Sequence, residues 1–101
     1  MTSSNEEESP GPVELRECRE EIGLIDGEIV ALLKKRVDLA RRTGTLKREH
    51  GLPILDPGRE AKVIRTVVAS ARAAGLEEEP VREIFWLILG LSRKAQQTEH
   101  E

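Results

Sequence analysis

Arg36 and Lys47 stand eleven residues apart in a segment otherwise patterned with Ile, Leu and Ala. At about 100° per residue that separation returns both cations to within roughly 20° of one helical face. Further along, Asp56, Arg59, Glu60 and Val63 follow i, i+3, i+4, i+7 spacing, and Ser92 and Gln96 continue a line begun by Phe85 and Ile88. Taken singly, each has an ordinary explanation: an inward Arg or Lys snorkels or pairs, a Ser or Gln near a helix end meets water, and Asp56 can serve as an N-cap. Taken together they place polar groups at the ends of three apolar stripes. With Arg19 added, four cations face two carboxylates, a surplus of about +2 in a chain of formal net charge -3. Such a surplus inside a helical bundle lacks an internal partner, so a small dianion is the expected guest.

The elements that must carry these residues follow from composition and periodicity. With 101 residues, 38% apolar and 35% charged, the chain suits one soluble domain with a modest core. Phe85 and Trp86 are its only aromatic residues, and the dominance of Leu, Ile, Val, Ala, Glu, Arg and Lys predicts an all-α fold. The acidic balance and lack of stacking platforms argue against a nucleic-acid surface. A single cysteine, Cys18, permits neither an intrachain disulfide nor a cysteine-based zinc cluster, and reads as a small buried apolar residue. No apolar run approaches the ~18 residues of a membrane span, and the acidic, Ser-rich start lacks the form of a signal peptide, so the expected setting is cytoplasmic, away from any membrane.

Residues 1–12 are too poor in apolar side chains to repay ordering and are expected to form a flexible tail. From Val13 the positions Leu15, Cys18, Ile22, Ile25, Ile29, Leu32 or Leu33, Leu39 and Ala40 recur at helical steps, predicting one long amphipathic helix to about His50. Gly51 and Pro53 then stop it. Gly23, Gly27 and Gly44 weaken this helix, and Gly23 and Gly27 would permit close approach of another helix. Asp56 caps a second helix with Pro57 at its first position, whose buried side is Val63, Ile64, Val67, Val68 and Ala71, and which ends at Gly75. A third opens at Glu79 and Pro80 and buries Val81, Ile84, Phe85, Ile88, Leu91 and Ala95 before a polar tail at 98–101.

A first helix of about 38 residues is a rod of roughly 57 Å, against a radius of gyration near 13 Å for a compact chain of this size. Its Ile and Leu stripe would face water unless a second molecule covered it, so a homodimer is expected. Arg19 lies seventeen residues before Arg36 and is rotated from it by roughly 100°. One helix cannot aim both at one small ligand, but spacing permits Arg19 of one chain to approach the Arg36 and Lys47 region of another.

In order along the chain, Arg19 with Glu20, Glu21 and Ile22, the Ile25-Asp26 pair, Arg36, Lys47, the stretch from Pro53 to Glu60, and Ser92 with Gln96 resemble the small all-helical chorismate mutases. The resemblance covers about residues 13–97. Its most specific piece is D-x-x-R-E with a Lys nine residues upstream, strengthened by Ser-x-x-x-Gln near the C-terminus.

That resemblance implies an intertwined homodimeric bundle of three-helix chains whose active sites each take an arginine, here Arg19, from the other chain. It implies an isomerase converting chorismate to prephenate on the route to phenylalanine and tyrosine, without a cofactor. Arg19, Arg36 and Arg59 would frame the substrate carboxylates and Ser92 would contact one of them. Lys47 and Gln96 would donate to the breaking ether oxygen, Glu60 would accept from the hydroxyl, and Asp56 would order that end of the pocket. Some family members dock to an early enzyme of the same pathway, so such a partner is admitted. Relatives of the same fold act as isochorismate-pyruvate lyases or aminodeoxychorismate mutases, but Asp56 and Glu60 match the ordinary mutase pattern. A non-catalytic helical dimerisation or adaptor module is the reading from another class, and it would not need Lys47, Arg59, Glu60 and Gln96 as a set.

Overall fold

A computed structural model of the chain describes residues 11–98. The tails expected at 1–12 and 98–101 therefore lie almost wholly outside the described residues. Among the described residues the structure is all-α: α1 spans Val13–Glu49, α2 Pro57–Ala73 and α3 Glu78–Gln97. None of these helices is long and apolar enough to cross a membrane.

The ends of the helices have local causes. Gly51 and Gly75 both adopt positive φ, 67° and 78°, where a side chain would be strained. At the end of α1, Leu52 N donates to Lys47 O at 2.8 Å and Gly51 N to Arg48 O at 3.2 Å. After α2, Leu76 N donates to Ala71 O at 2.8 Å and Gly75 N to Arg72 O at 3.1 Å. Both endings are Schellman motifs, which satisfy carbonyls that a helix terminus would otherwise leave unpaired. Asp56 caps α2, its Oδ1 accepting from Arg59 N at 3.1 Å, with Pro57 at the first helical position. α3 opens at Glu78, one residue before the sequence-based start, and its N-cap Glu77 makes no side-chain capping bond.

Contacts divide the chain into two units, one ending at Leu32 and the other beginning at Leu33. The first unit is the leading part of α1. Its Ile22 (57%), Ile25 (51%) and Ile29 (50%) are exposed, as is Cys18, which the helical pattern had assigned to a buried apolar position. Periodicity marks the face that should be covered; it does not say that the same chain covers it, and among the described residues of this unit none does.

The second unit holds the core. Ile64, Val68 and Leu89 are buried together, with Val63 and Phe85 packed against them, so α2 and α3 meet through branched aliphatic side chains. Each such side chain contributes about 1.5–3 kcal/mol on burial. Ile84 (53%) and Leu91 (47%), expected in the core, are exposed, whereas Leu89 takes the central position. The line Phe85, Leu89, Ser92, Gln96 replaces the line through Ile88 at its second step, because i+4 follows the helix face as well as i+3 does.

Among the described residues of this chain, close helix approach occurs at Gly44; around the missing Cβ of Gly23 and of Gly27 the chain itself places nothing within 4 Å. A Cβ on Gly44 would stand 2.7 Å from Gln96 Cα and 2.9 Å from Gln96 C. The trailing part of α1 thus lies backbone to backbone on the last turn of α3, and Arg48 Nη1 donates to Gln96 O at 2.7 Å across the same junction. This contact positions the candidate site.

Candidate functional site

Within the second unit lies a cavity of about 430 Å³, a volume in the range of small-molecule sites. α1 lines it with Arg36, Leu39, Ala40, Thr43 and Lys47, which follow one helical face. The α1–α2 connection adds Ile54 and Asp56, α2 adds Arg59, Glu60 and Val63, and α3 adds Leu89, Ser92 and Gln96. Arg36, Lys47, Asp56, Arg59, Glu60, Ser92 and Gln96, all assigned from sequence, are therefore brought to one cavity. Arg19 is not: it belongs to the first unit, where it is exposed.

Two hydrogen-bonded groups define the polar wall. Arg36 Nη1 donates to Ser92 Oγ, and Ser92 is the buried polar residue of α3. Lys47 Nζ donates to Gln96 Oε1 and to the Ile54 carbonyl, both at 2.9 Å. The second group fixes the sense of the Gln96 amide, because an ammonium can bond only to the oxygen. The Gln96 Nε2 hydrogens remain to donate elsewhere, and Lys47 keeps one of its three N–H bonds free. Two donors, one cationic and one neutral, are thereby available side by side.

Electrostatics make the cavity anion-seeking. Its lining carries three cations, Arg36, Lys47 and Arg59, against two carboxylates, Asp56 and Glu60. Asp56 is engaged as the cap of α2, and Glu60 Oε1 accepts from Arg93 Nη1 at 2.7 Å. Among the described residues, Arg36 and Lys47 form no ion pair with a carboxylate; their partners are neutral oxygens. Two half-buried cations left without counter-charge are stabilised by any anion that enters between them. Leu39, Ala40, Val63 and Leu89 supply apolar surface beside them.

Several participants escaped the sequence reading. Thr43 lies seven residues after Arg36 and four before Lys47, so the shared helical face was a usable signal for it. The Ile54 carbonyl, Arg48 and Arg93 had none, since their partners lie across tertiary contacts that periodicity does not specify.

The chorismate mutase type II family model matches residues 18–97, and the chain belongs to that family. It is 33% identical over 71 residues to the T-protein of Haemophilus influenzae, a match covering 70% of this chain and 19% of that protein. It is 30% identical over 76 residues to the 4-amino-4-deoxychorismate mutase of Streptomyces venezuelae, covering 75% of this chain and 74% of the relative. The solved structure of a conserved hypothetical protein from Pyrococcus furiosus superposes with a TM-score of 0.68 at 40% identity, covering 86% of this chain and 100% of that one. The chain spans only about a fifth of the length of the first curated relatives it matches.

Proposed function

We propose that the protein is a chorismate mutase, an isomerase that rearranges chorismate to prephenate on the way to phenylalanine and tyrosine. The observation that carries this reading is the convergence of Lys47 and Gln96, both with donors to spare, beside the carboxylate-free cation Arg36 in one cavity.

The reaction is an intramolecular [3,3] shift: one C–O bond breaks while one C–C bond forms, and no proton or group leaves the molecule. No nucleophile or general base is required. What the protein must supply is a grip that holds a flexible dianion in its reactive chair-like conformer, and donors aimed at the ether oxygen as it gains negative charge. Arg36 with Ser92, and Arg59, suit the carboxylates, because a planar guanidinium bonds a carboxylate through two N–H groups. Lys47 and Gln96 Nε2 take the ether oxygen, Glu60 accepts from the ring hydroxyl, and Asp56 holds the start of α2 in place. A million-fold rate gain needs about 8 kcal/mol of selective stabilisation. Charge-assisted hydrogen bonds of about 1.5–3 kcal/mol supply it if a few of them tighten at the transition state.

A dianion asks for more positive charge than the cavity of one chain offers, and Arg19 of a second chain is the proposed supplement. The exposed Ile22, Ile25 and Ile29 on the same stretch of α1 support a homodimer in which that face is covered. A cytoplasmic setting, where an exposed free thiol such as Cys18 stays reduced, completes the proposal.

Incubating the purified protein with chorismate alone tests this reading. Prephenate as the sole product is expected; unchanged chorismate refutes the proposal. Mixing inactive Arg19→Ala and Lys47→Ala variants then tests the shared sites, since subunit exchange rebuilds one intact pocket in the mixed dimer. No recovery of activity on mixing rejects the role given to Arg19.

A further inference from the structure

Glu60 lines the cavity from α2, yet the group that holds it comes from outside the lining. Arg93, one residue after the buried Ser92 and therefore turned about 100° from it on α3, donates through Nη1 to Glu60 Oε1 at 2.7 Å. Its guanidinium lies back along α3 over Gly90, with Nη2 3.7 Å from where a Cβ would stand on that residue. Both side chains are partly buried, at 37% exposure for Arg93 and 22% for Glu60, so water screens the pair only in part. Among the described residues, Glu60 Oε2 accepts no hydrogen bond and remains available to a ligand.

We propose that Arg93 is a positioning residue that, through Glu60, makes the site select a hydroxyl over an amine on the ring of its substrate. This rests on the chorismate mutase reading and specifies the substrate class of the same cavity. The pair acts in two ways. Fixing one carboxylate oxygen aims the other, so a hydroxyl finds a ready acceptor. Offsetting the carboxylate charge removes what would attract an ammonium at that position, and places a like charge immediately behind it. A neutral donor is indifferent to that like charge, whereas an ammonium is repelled by it. A relative of 30% identity is named for the amino substrate, so the choice between the two substituents is a real one within this family.

The test is the ratio of kcat/KM for chorismate to kcat/KM for 4-amino-4-deoxychorismate, measured on the whole chain as purified. Wild type favours chorismate. Arg93→Gln keeps a donor for Glu60 but removes the charge, and shifts the ratio toward the amine by about tenfold, equivalent to ~1.4 kcal/mol. Arg93→Met shifts it in the same direction, and Arg93→Lys restores the wild-type ratio. A merely structural Arg93 would change both substrates alike and leave the ratio where it was. Circular dichroism identifies any variant that fails to fold; if the neutral variants do not fold, the ratio is followed against pH in wild type and Arg93→Lys, where it should move toward the amine as the substrate ammonium deprotonates, and a ratio level across that range overturns the role of Arg93. A wild-type protein that turns over neither substrate overturns the mutase reading and this one with it. Turnover by wild type with a ratio unmoved in Arg93→Gln, or displaced in Arg93→Lys, overturns the role of Arg93 alone.

Discussion

Gly44→Ala is the sharpest perturbation of the site that removes none of its polar groups. The added methyl would stand 2.7 Å from Gln96 Cα and 2.9 Å from Gln96 C, with the Gln96 carbonyl oxygen closer still. Carbon atoms in contact prefer about 3.5–4.0 Å, so the last turn of α3 must retreat by roughly 1 Å. Backbone cannot swing aside as a flexible side chain would, and Arg48 tethers the same carbonyl to α1. Two stability effects oppose each other: overpacking costs about 1–3 kcal/mol, while Ala in place of Gly inside a helix returns up to about 1 kcal/mol. The net loss of stability is therefore modest. Catalysis has no such compensation, because the retreat carries the Gln96 amide away from Lys47 and from the reacting atoms, and a 1 Å misplacement costs about 10²-fold in rate. Following chorismate disappearance at saturation, alongside thermal unfolding by circular dichroism, should show kcat falling by about two orders of magnitude while the melting temperature drops by no more than roughly 15 °C. A kcat within about twofold of wild type would refute the reasoning, because it would mean that Gln96 need not sit where the α1–α3 contact puts it.

Two further predictions concern pH. Gln96→Glu replaces a neutral donor by a group that donates only when protonated, and the neighbouring Lys47 ammonium favours its ionised, non-donating form. Wild-type activity should stay level from mildly acidic to neutral pH, whereas the variant should be active only in acid and lose about tenfold per pH unit above its transition; a level profile for the variant contradicts the donor role. The Arg72–Glu78 ion pair, Nε to Oε2 at 2.6 Å, joins the end of α2 to the start of α3, and the hydrogen bond from Arg72 holds the Glu78 carboxyl below its ordinary range. A depressed carboxyl contributes stability that is present above its unfolded pKa and lost as pH falls through the folded one. Glu78→Gln should accordingly be slightly less stable than wild type at neutral pH and equal to it in strong acid, by denaturant titration in low salt; a difference that persists in acid would assign the effect elsewhere.

Much of the positioning framework was legible in the sequence because it is local. Asp56 before Pro57, Gly51 and Gly75 after their helices, and the helical spacing of Val63, Ile64, Val67, Val68 and Ala71 are each decided within a turn or two of chain. The gathering of Arg36, Lys47, Ser92 and Gln96 was legible for a related reason: a polar residue on an apolar stripe must meet something, and stripes from different helices face one another. What stayed hidden is tertiary. Leu89 displaced Ile88 because helix rotation about its axis is set by packing, which periodicity fixes only to within a residue. Gly44 read as a weak helix former, since nothing local shows that Gln96 will lie against it. Arg93 lies thirty-three residues from Glu60 and looks like an ordinary surface charge until α2 and α3 are docked. Cys18 and the leading Ile residues of α1 were assigned to an interior, but they are exposed among the described residues.

The proposal that Lys47 leads the stabilisation of the breaking ether bond is tested most directly by the turnover of Lys47→Ala, measured with chorismate at saturation on protein whose helicity and oligomeric state match wild type. Removing a positioned donor of this kind should lower kcat by about 10²–10³-fold while leaving the fold intact. A rate constant close to wild type would contradict the account, because Lys47 is the cavity cation that is hydrogen-bonded to the Gln96 amide and shares the ether oxygen with it.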